Sequence, residues 1–221
     1  MRDNRGGTRV KNASITNNWN EVRYQSSGNQ NLNRAKAVKN DEFYTRMEDI
    51  QKELSNYSDQ FKGKTIYCNC DNPSMSNFWK YFVDNFDKLG INKVISTHYN
   101  PDNSSSYKLE FDGKNMTRTE LSGNGDFRSQ ESLDTLKDAD IVVSNPPFSL
   151  FREYVSQLNE NGKQFLIIGN KNALTSKEIF PLIKDGKVRL GDNNINSFTT
   201  PDGSVKKFGN IGWYTNLQSK A

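Results

Sequence analysis

The segment Asn145-Pro146-Pro147-Phe148 follows directly on Ile141-Val142-Val143-Ser144, where a short apolar run ends. The Asn145 amide oxygen and the Pro146 carbonyl can each accept one proton of a planar amine. The two prolines lock the turn and bring no competing N–H donors. Phe148 offers a flat apolar face on which an aromatic base can stack, worth about 1–3 kcal/mol in single-strand sites. An aromatic amine is a poor nucleophile because its lone pair is delocalised into the ring, so it must be held in line with its electrophile. These four residues are suited to that task and are the candidate catalytic set. An ordinary strand-to-helix turn, with Asn145 capping the helix and the prolines stiffening its start, fits the same tetrapeptide.

Other chemistries find little support. His98 is the single histidine, so a Cys/His zinc site is not expected, and no metal is assigned. A Ser-His-Asp triad would have to be built on that one residue. Cys68 and Cys70 lie two apart in an apolar run, leave a strand on the same face, and read as reduced, buried thiols. The glycine-rich loop of many nucleotide sites is missing from Cys70-Asp71-Asn72-Pro73, and Thr97-His98 supplies no acidic residue for a ribose.

The elements that would position this corner alternate between strand and helix. Met47, Ile50, Leu54, Tyr57 and Phe61 recur at helical spacing and predict one amphipathic helix; Thr65 to Cys70 predicts a strand. Phe78, Phe82 and Phe86 stack one face of a second helix, and Lys93 to Thr97 reads as a second buried strand. Tyr107 to Phe111 and Met116 to Leu121 flank Asp112-Gly113, a hairpin signal, read as an insertion. Helical Leu150 to Leu158, strand Phe165 to Ile168, a helix around Lys177 to Ile183, and strands at Lys187 to Leu190 and Gly212 to Thr215 complete the pattern. Such alternation implies parallel βαβ units, hence an α/β fold with a doubly wound, mostly parallel sheet. Ligands in such sheets bind beyond the carboxyl ends of the strands, where Asn145 lies.

Residues 1–40 are rich in Asn, Gly, Ser, Gln and Arg, show no periodicity, and read as a disordered tail before a single domain over 41–221. The chain carries +4 overall, with a pI near 8.9 and a mean hydropathy of −0.87. Eight basic residues against Asp3 and Glu21 give the tail +6, so the rest carries about −2. The tail fits a basic arm gripping nucleic-acid phosphates and, equally, a solubilising extension. No stretch approaches the roughly 20 apolar residues of a membrane span, and no signal segment is evident, so a soluble, cytoplasmic protein is expected.

Asp41-Glu42-Phe43-Tyr44-Thr45, Tyr67-Cys68-Asn69-Cys70-Asp71-Asn72-Pro73 with Ser76-Asn77-Phe78, Gly125-Asp126-Phe127-Arg128-Ser129, and the run Asp140 to Tyr154 together resemble the EcoRI-type adenine-specific DNA methyltransferase family. The resemblance runs from about Asp41 to Leu217. It implies a Rossmann-like class I methyltransferase that uses S-adenosylmethionine to methylate adenine N6 in DNA, on a flipped-out base, as in restriction-modification systems, with a monomer favoured. It also implies a cofactor pocket formed by Phe43, Tyr44, Thr45, Asn69, Asp71, Pro73, Asn77 and Asn145, with Asp126-Phe127 at the cofactor adenine. A turn residue beside Gly125 is the plainer reading of Asp126. The hairpin around Asp112, the loop from Asn193 to Lys207 and the basic tail are the candidates for DNA contact. The same acceptor logic serves RNA or a protein glutamine as substrate, and a catalytically silent DNA-binding relative is the reading from another class.

Overall fold

The computed structural model describes residues 11–12, 43–70, 72–100 and 105–220. Beyond Lys11 and Asn12, the expected disordered tail lies outside these residues. Nine strands are described: β1 Lys11–Asn12, β2 Thr65–Asn69, β3 Lys93–Thr97, β4 Tyr107–Phe111, β5 Met116–Glu120, β6 Ile141–Ser144, β7 Gln164–Asn170, β8 Arg189–Thr199 and β9 Val205–Thr215. They form one sheet in the order β1-β5-β4-β3-β2-β6-β7-β9-β8. The central β3, β2, β6 and β7 run parallel. The expected hairpin, β4 and β5, joins antiparallel beyond β3 and extends the sheet. On the far side β9 lies antiparallel between β7 and β8.

Alternation along the central strands splits the core in two. Ile66, Cys68, Ile141, Val143, Leu166 and Ile168 face α1 (Met47–Leu54), α2 (Asn77–Asp84) and α3 (Phe86–Leu89) through Ile50, Leu54, Phe78, Phe82 and Phe86. Tyr67, Val142, Phe165 and Ile167 face α4 (Gln130–Asp138) and α5 (Phe151–Glu160) through Leu136, Tyr154, Val155 and Leu158. Both faces of the sheet are covered, as the apolar strands require.

Several expected elements differ in detail. The single helix over Met47 to Phe61 is α1 followed by a 3-10 stretch, Ser55–Phe61. Its serines, Asn56 and Asp59 are weak helix formers, and Ser55 Oγ bonds back to Lys52 O at 2.9 Å. The second helix breaks at Asn85, whose Nδ2 donates to Tyr81 O at 2.9 Å. The strand expected to Cys70 stops at Asn69, because Cys70 takes a left-handed φ of 85°. Cys68 is buried as expected but Cys70 is half-buried; neither is in a disulfide. The helix around Lys177 shrinks to α6, Phe180–Lys184, with Pro181 in its first turn. Helix α4 has no counterpart in the sequence reading, although Ser129 caps it by accepting from Ser132 N at 3.2 Å.

The largest difference concerns Asn193 to Lys207, expected as a loop. Most of it is β8 and β9, a hairpin that pairs from Ile195 with Ile211 out to Thr199 with Val205, past the end of β7. Its alternation is obscured by Asn, Lys and Gly on the exposed face and by a register shift between Leu190 and Asn194. Buried Glu53 of α1 fills that bulge. Its carboxylate accepts from Asp192 N, Asn193 N, Asn193 Nδ2 and Tyr57 Oη at 2.8–2.9 Å. Gly191 permits the approach, since a Cβ there would stand 2.2 Å from Glu53 Oε1.

Candidate active site

The chain runs from β2 to β3 on one side and later returns to β6 on the other, so the strand order reverses between the parallel β2 and β6. A cleft opens at such a reversal beyond the strand ends. Asn69 ends β2 and Asn145 follows β6 there. Their neighbours are joined, Ser144 Oγ donating to Asn69 O at 2.6 Å.

Asn145 does not cap a helix. The next turn begins as a 3-10 stretch, Phe148–Leu150, preceded by Pro147 with no side-chain cap. Asn145 Nδ2 instead donates to Phe43 O at 2.9 Å, while its buried Oδ1 has no partner among the described residues. The capping interpretation is thereby displaced. Pro146 is buried, and exposed Pro147 accepts from Leu150 N at 3.0 Å, closing the turn. Phe148 is half-buried, its ring 6.2 Å from Phe198 and 6.3 Å from Phe208. Phe43 joins them, edge-on to Phe208 at 4.7 Å, and Lys206 Nζ lies 4.8 Å from the Phe43 centroid. The β8–β9 hairpin thus brings an aromatic wall and a cation to the tetrapeptide.

Residues 43–45 are strapped across the strand ends. Tyr44 pairs its backbone with Thr199 of β8 in both directions, at 2.8 and 2.9 Å. Thr45 is buried, its carbonyl accepts from Asn77 Nδ2 at 2.8 Å, and its Oγ1 has no partner among the described residues. Pro73 is buried in the turn after β2, where Asn72 Oδ1 accepts from Ser74 N at 3.0 Å. Asp71 lies outside the described residues.

A second group meets at Asn69, which is 1% exposed. Tyr154 of α5, fully buried, donates its hydroxyl to Asn69 Oδ1, and the buried Nδ2 has no partner among the described residues. Phe127 packs edge-on against the Tyr154 ring at 5.0 Å, and its carbonyl accepts from Gln157 at 3.2 Å. Asp126 sits in the turn expected beside Gly125. Its Oδ1 accepts from Arg128 N at 2.8 Å in a local turn, and Arg128 Nη2 reaches Oδ2 at 2.7 Å. The Arg128 guanidinium holds the Asp126 carboxyl below the usual carboxylate range and is itself raised. Gly125 allows this turn with φ 75°, since a Cβ would strike His98 O at 2.2 Å.

A cavity of about 240 Å³ adjoins the tetrapeptide, lined by Phe148, Phe151, Arg152, Asn170, Asn172, Ala173 and Ser176. Of the predicted residues Phe148 reaches it. Ser176 Oγ is buried there without a partner among the described residues. Asn170 ends β7, so the strand-end rule that singled out Asn145 could have found it. Phe198 and Phe208 were hidden by the loop reading, and Tyr154 by its place among apolar helix positions. An unmet buried donor or acceptor costs about 1–3 kcal/mol. Thr45, Asn69, Asn145 and Ser176 each carry one such group without a partner among the described residues. Among the described residues no cluster of His, Cys, Asp or Glu is placed to hold a metal, and no helix is long and apolar enough to cross a membrane.

Residues 31–221 match the family model described as adenine-specific methyltransferase EcoRI. Similar curated proteins include the type II methyltransferase M.EcoRI of Escherichia coli, 46% identical over 80% of this chain and 61% of that protein. M.MpnI of Mycoplasma pneumoniae is 42% identical over 85% of this chain and 64% of its own length, and M.MgeORF184P of Mycoplasma genitalium 40% over 84% and 64%. The chain thus spans 61–64% of the length of these relatives. No solved structure matches.

Proposed function

The chain belongs to the EcoRI family of adenine-specific methyltransferases, and from that premise we propose that it methylates the N6 amine of adenine in DNA, on a base turned out of the duplex, using S-adenosylmethionine. One observation carries the reading: Phe43 O anchors the Asn145 amide by its nitrogen and leaves an unmet acceptor oxygen beside Phe148. An amine offers the two protons that Asn145 Oδ1 and the Pro146 carbonyl need, and a purine offers the face that Phe148 needs. Both acceptors hold the amine through its N–H bonds and turn its lone pair out of the ring plane. Neither is basic enough to keep a proton, so the one displaced on methylation passes to water.

When bound, S-adenosylmethionine supplies an electrophilic methyl carbon on a sulfonium. The residues present fit it, because the reversal between β2 and β6 holds an unmet donor on Asn69 beside the unmet acceptor on Asn145. Asn69, Asn145 and the strap Phe43-Tyr44-Thr45 with Asn77 would hold it, together with Pro73, Asp71 and Asp126-Phe127. The lysines of the β8–β9 hairpin, beside the aromatic wall, suit a polyanion such as DNA.

The test is methyl transfer from labelled S-adenosylmethionine to duplex DNA, RNA and protein, followed by nucleoside analysis. Label in N6-methyladenine from DNA is expected. Label confined to RNA or to protein glutamine would replace the substrate assignment. Tight cofactor binding without transfer to any of the three would leave a silent binding relative.

A further inference from the structure

Asn69 and Asn145 occupy the ends of adjacent strands, and each has one half of its amide tied down and the other half unmet. The two are set in opposite senses. Phe43 O takes the nitrogen of Asn145 and leaves an acceptor; Tyr154 gives its hydroxyl to the oxygen of Asn69 and leaves a donor. Cys70 Sγ also lies toward Asn69 Oδ1, at 4.0 Å, so two donors face that oxygen and fix which way the amide is turned. Tyr154 sits on α5, immediately behind the turn that carries Asn145, so the chain segment that carries one amide orients the other. Its ring is fully buried and braced by Phe127, which keeps the hydroxyl from swinging away.

We propose that Tyr154 is a positioning residue that presents Asn69 Nδ2, as a buried hydrogen-bond donor, to an acceptor oxygen of the methyl donor. The inference rests on the methyltransferase reading above and adds to it the residue that sets the sense of the β2 end. Without the Tyr154 hydroxyl only the weaker Cys70 thiol holds the sense of the Asn69 amide, and a flipped amide offers the ligand its oxygen. An acceptor oxygen then meets another acceptor.

The test is calorimetric binding of S-adenosylhomocysteine and of 5′-methylthioadenosine, which lacks the amino-acid carboxylate, to wild type, Tyr154→Phe, Asn69→Ala, Asn69→Asp and the Tyr154→Phe/Asn69→Ala double variant. Thermal unfolding run alongside identifies any variant that fails to fold. Tyr154→Phe is expected to weaken S-adenosylhomocysteine about tenfold, as loss of one well-placed hydrogen bond does. Asn69→Ala should lose at least as much, and the double variant no more than Asn69→Ala alone. Asn69→Asp, which keeps an oxygen before Tyr154 but has no N–H to offer, should be no better than Asn69→Ala. A loss confined to S-adenosylhomocysteine identifies the oxygen as the carboxylate; an equal loss with 5′-methylthioadenosine identifies it as a ribose oxygen. Wild-type affinity in Tyr154→Phe, or losses that add in the double variant, would overturn the role of Tyr154 while the methyltransferase reading stands. A wild-type chain that binds neither ligand would end both.

Discussion

Asn145 and Phe43 lie 102 residues apart in sequence, yet Nδ2 of the first donates to the carbonyl of the second at 2.9 Å. Because this contact fixes which way the amide is turned, its unmet oxygen is the acceptor left to act. Asn145→Ala removes a fixed acceptor that is needed most as the amine reacts. It should lower kcat by about 10²-fold or more, with affinity for S-adenosylhomocysteine little changed. Asn145→Asp keeps an oxygen in place but sets a carboxylate against the Phe43 carbonyl, so it should fall between wild type and Asn145→Ala. Steady-state kinetics decide it, and full turnover by Asn145→Ala would end the assignment.

The pairing of Asp126 with Arg128 should show itself in acid. The carboxyl is held below its ordinary value of 3.8, first by the hydrogen bond from Arg128. A depressed carboxyl contributes stability that is complete above the unfolded pKa and is lost as pH falls through the folded one. The stability gap between wild type and Arg128→Ala should therefore be full above about pH 5 and shrink at lower pH. Urea denaturation across that range measures it. A gap as wide at the acid end as at neutrality would place the effect of Arg128 elsewhere, in a contact that does not titrate, such as its guanidinium 5.3 Å from the centroid of the Phe127 ring.

Glu53 makes a prediction about stability rather than chemistry. Its buried carboxylate meets two backbone N–H groups in the β8 bulge, so Glu53→Ala strands both and should cost about 2–4 kcal/mol in urea denaturation. Gly191→Ala should cost about 1–3 kcal/mol by overpacking, because its Cβ would stand 2.2 Å from Glu53 Oε1 and 2.6 Å from Trp213 Cβ. If the bulge is what holds the hairpin over the strand ends, both variants should also weaken methyl transfer. Wild-type stability in Glu53→Ala would show that the bulge is held by other contacts.

What the sequence revealed and what it hid follow from the physics of each element. Ile141 to Val143 and Phe165 to Ile168 are apolar on both faces, so they could be read as central strands, and the strand-end rule then pointed to Asn145. Asn69 and Phe127 came from the family resemblance, and the structure brings both to Tyr154. The hairpin was illegible because exposed Asn196, Lys206, Lys207 and Gly209 hide the buried alternation of Ile195, Ser197 and Ile211. Tyr154 closes the run that carried the resemblance but drew no role from it: a tyrosine at an apolar helix position reads as core, and only the position of its hydroxyl shows a second task.

That misread hairpin supplies the last prediction. Lys206 and Lys207 are adjacent and exposed on β9, beyond the end of β7, and Lys206 stands over the Phe43 ring beside the proposed base site. Adjacent strand residues point to opposite faces, so the two lysines cannot both lie against the same wall. Each phosphate neutralised on duplex DNA contributes about 0.9 to the slope of log affinity against log salt. Lys207→Ala should therefore flatten the slope by up to about 0.9 and leave turnover on saturating DNA intact. Lys206→Ala should flatten it similarly and also lower kcat, because its cation packs on two rings of the aromatic wall. Filter binding or fluorescence anisotropy between low and moderate salt reads the slope. If neither substitution moves it, the hairpin does not touch phosphates and its lysines serve the aromatic wall alone.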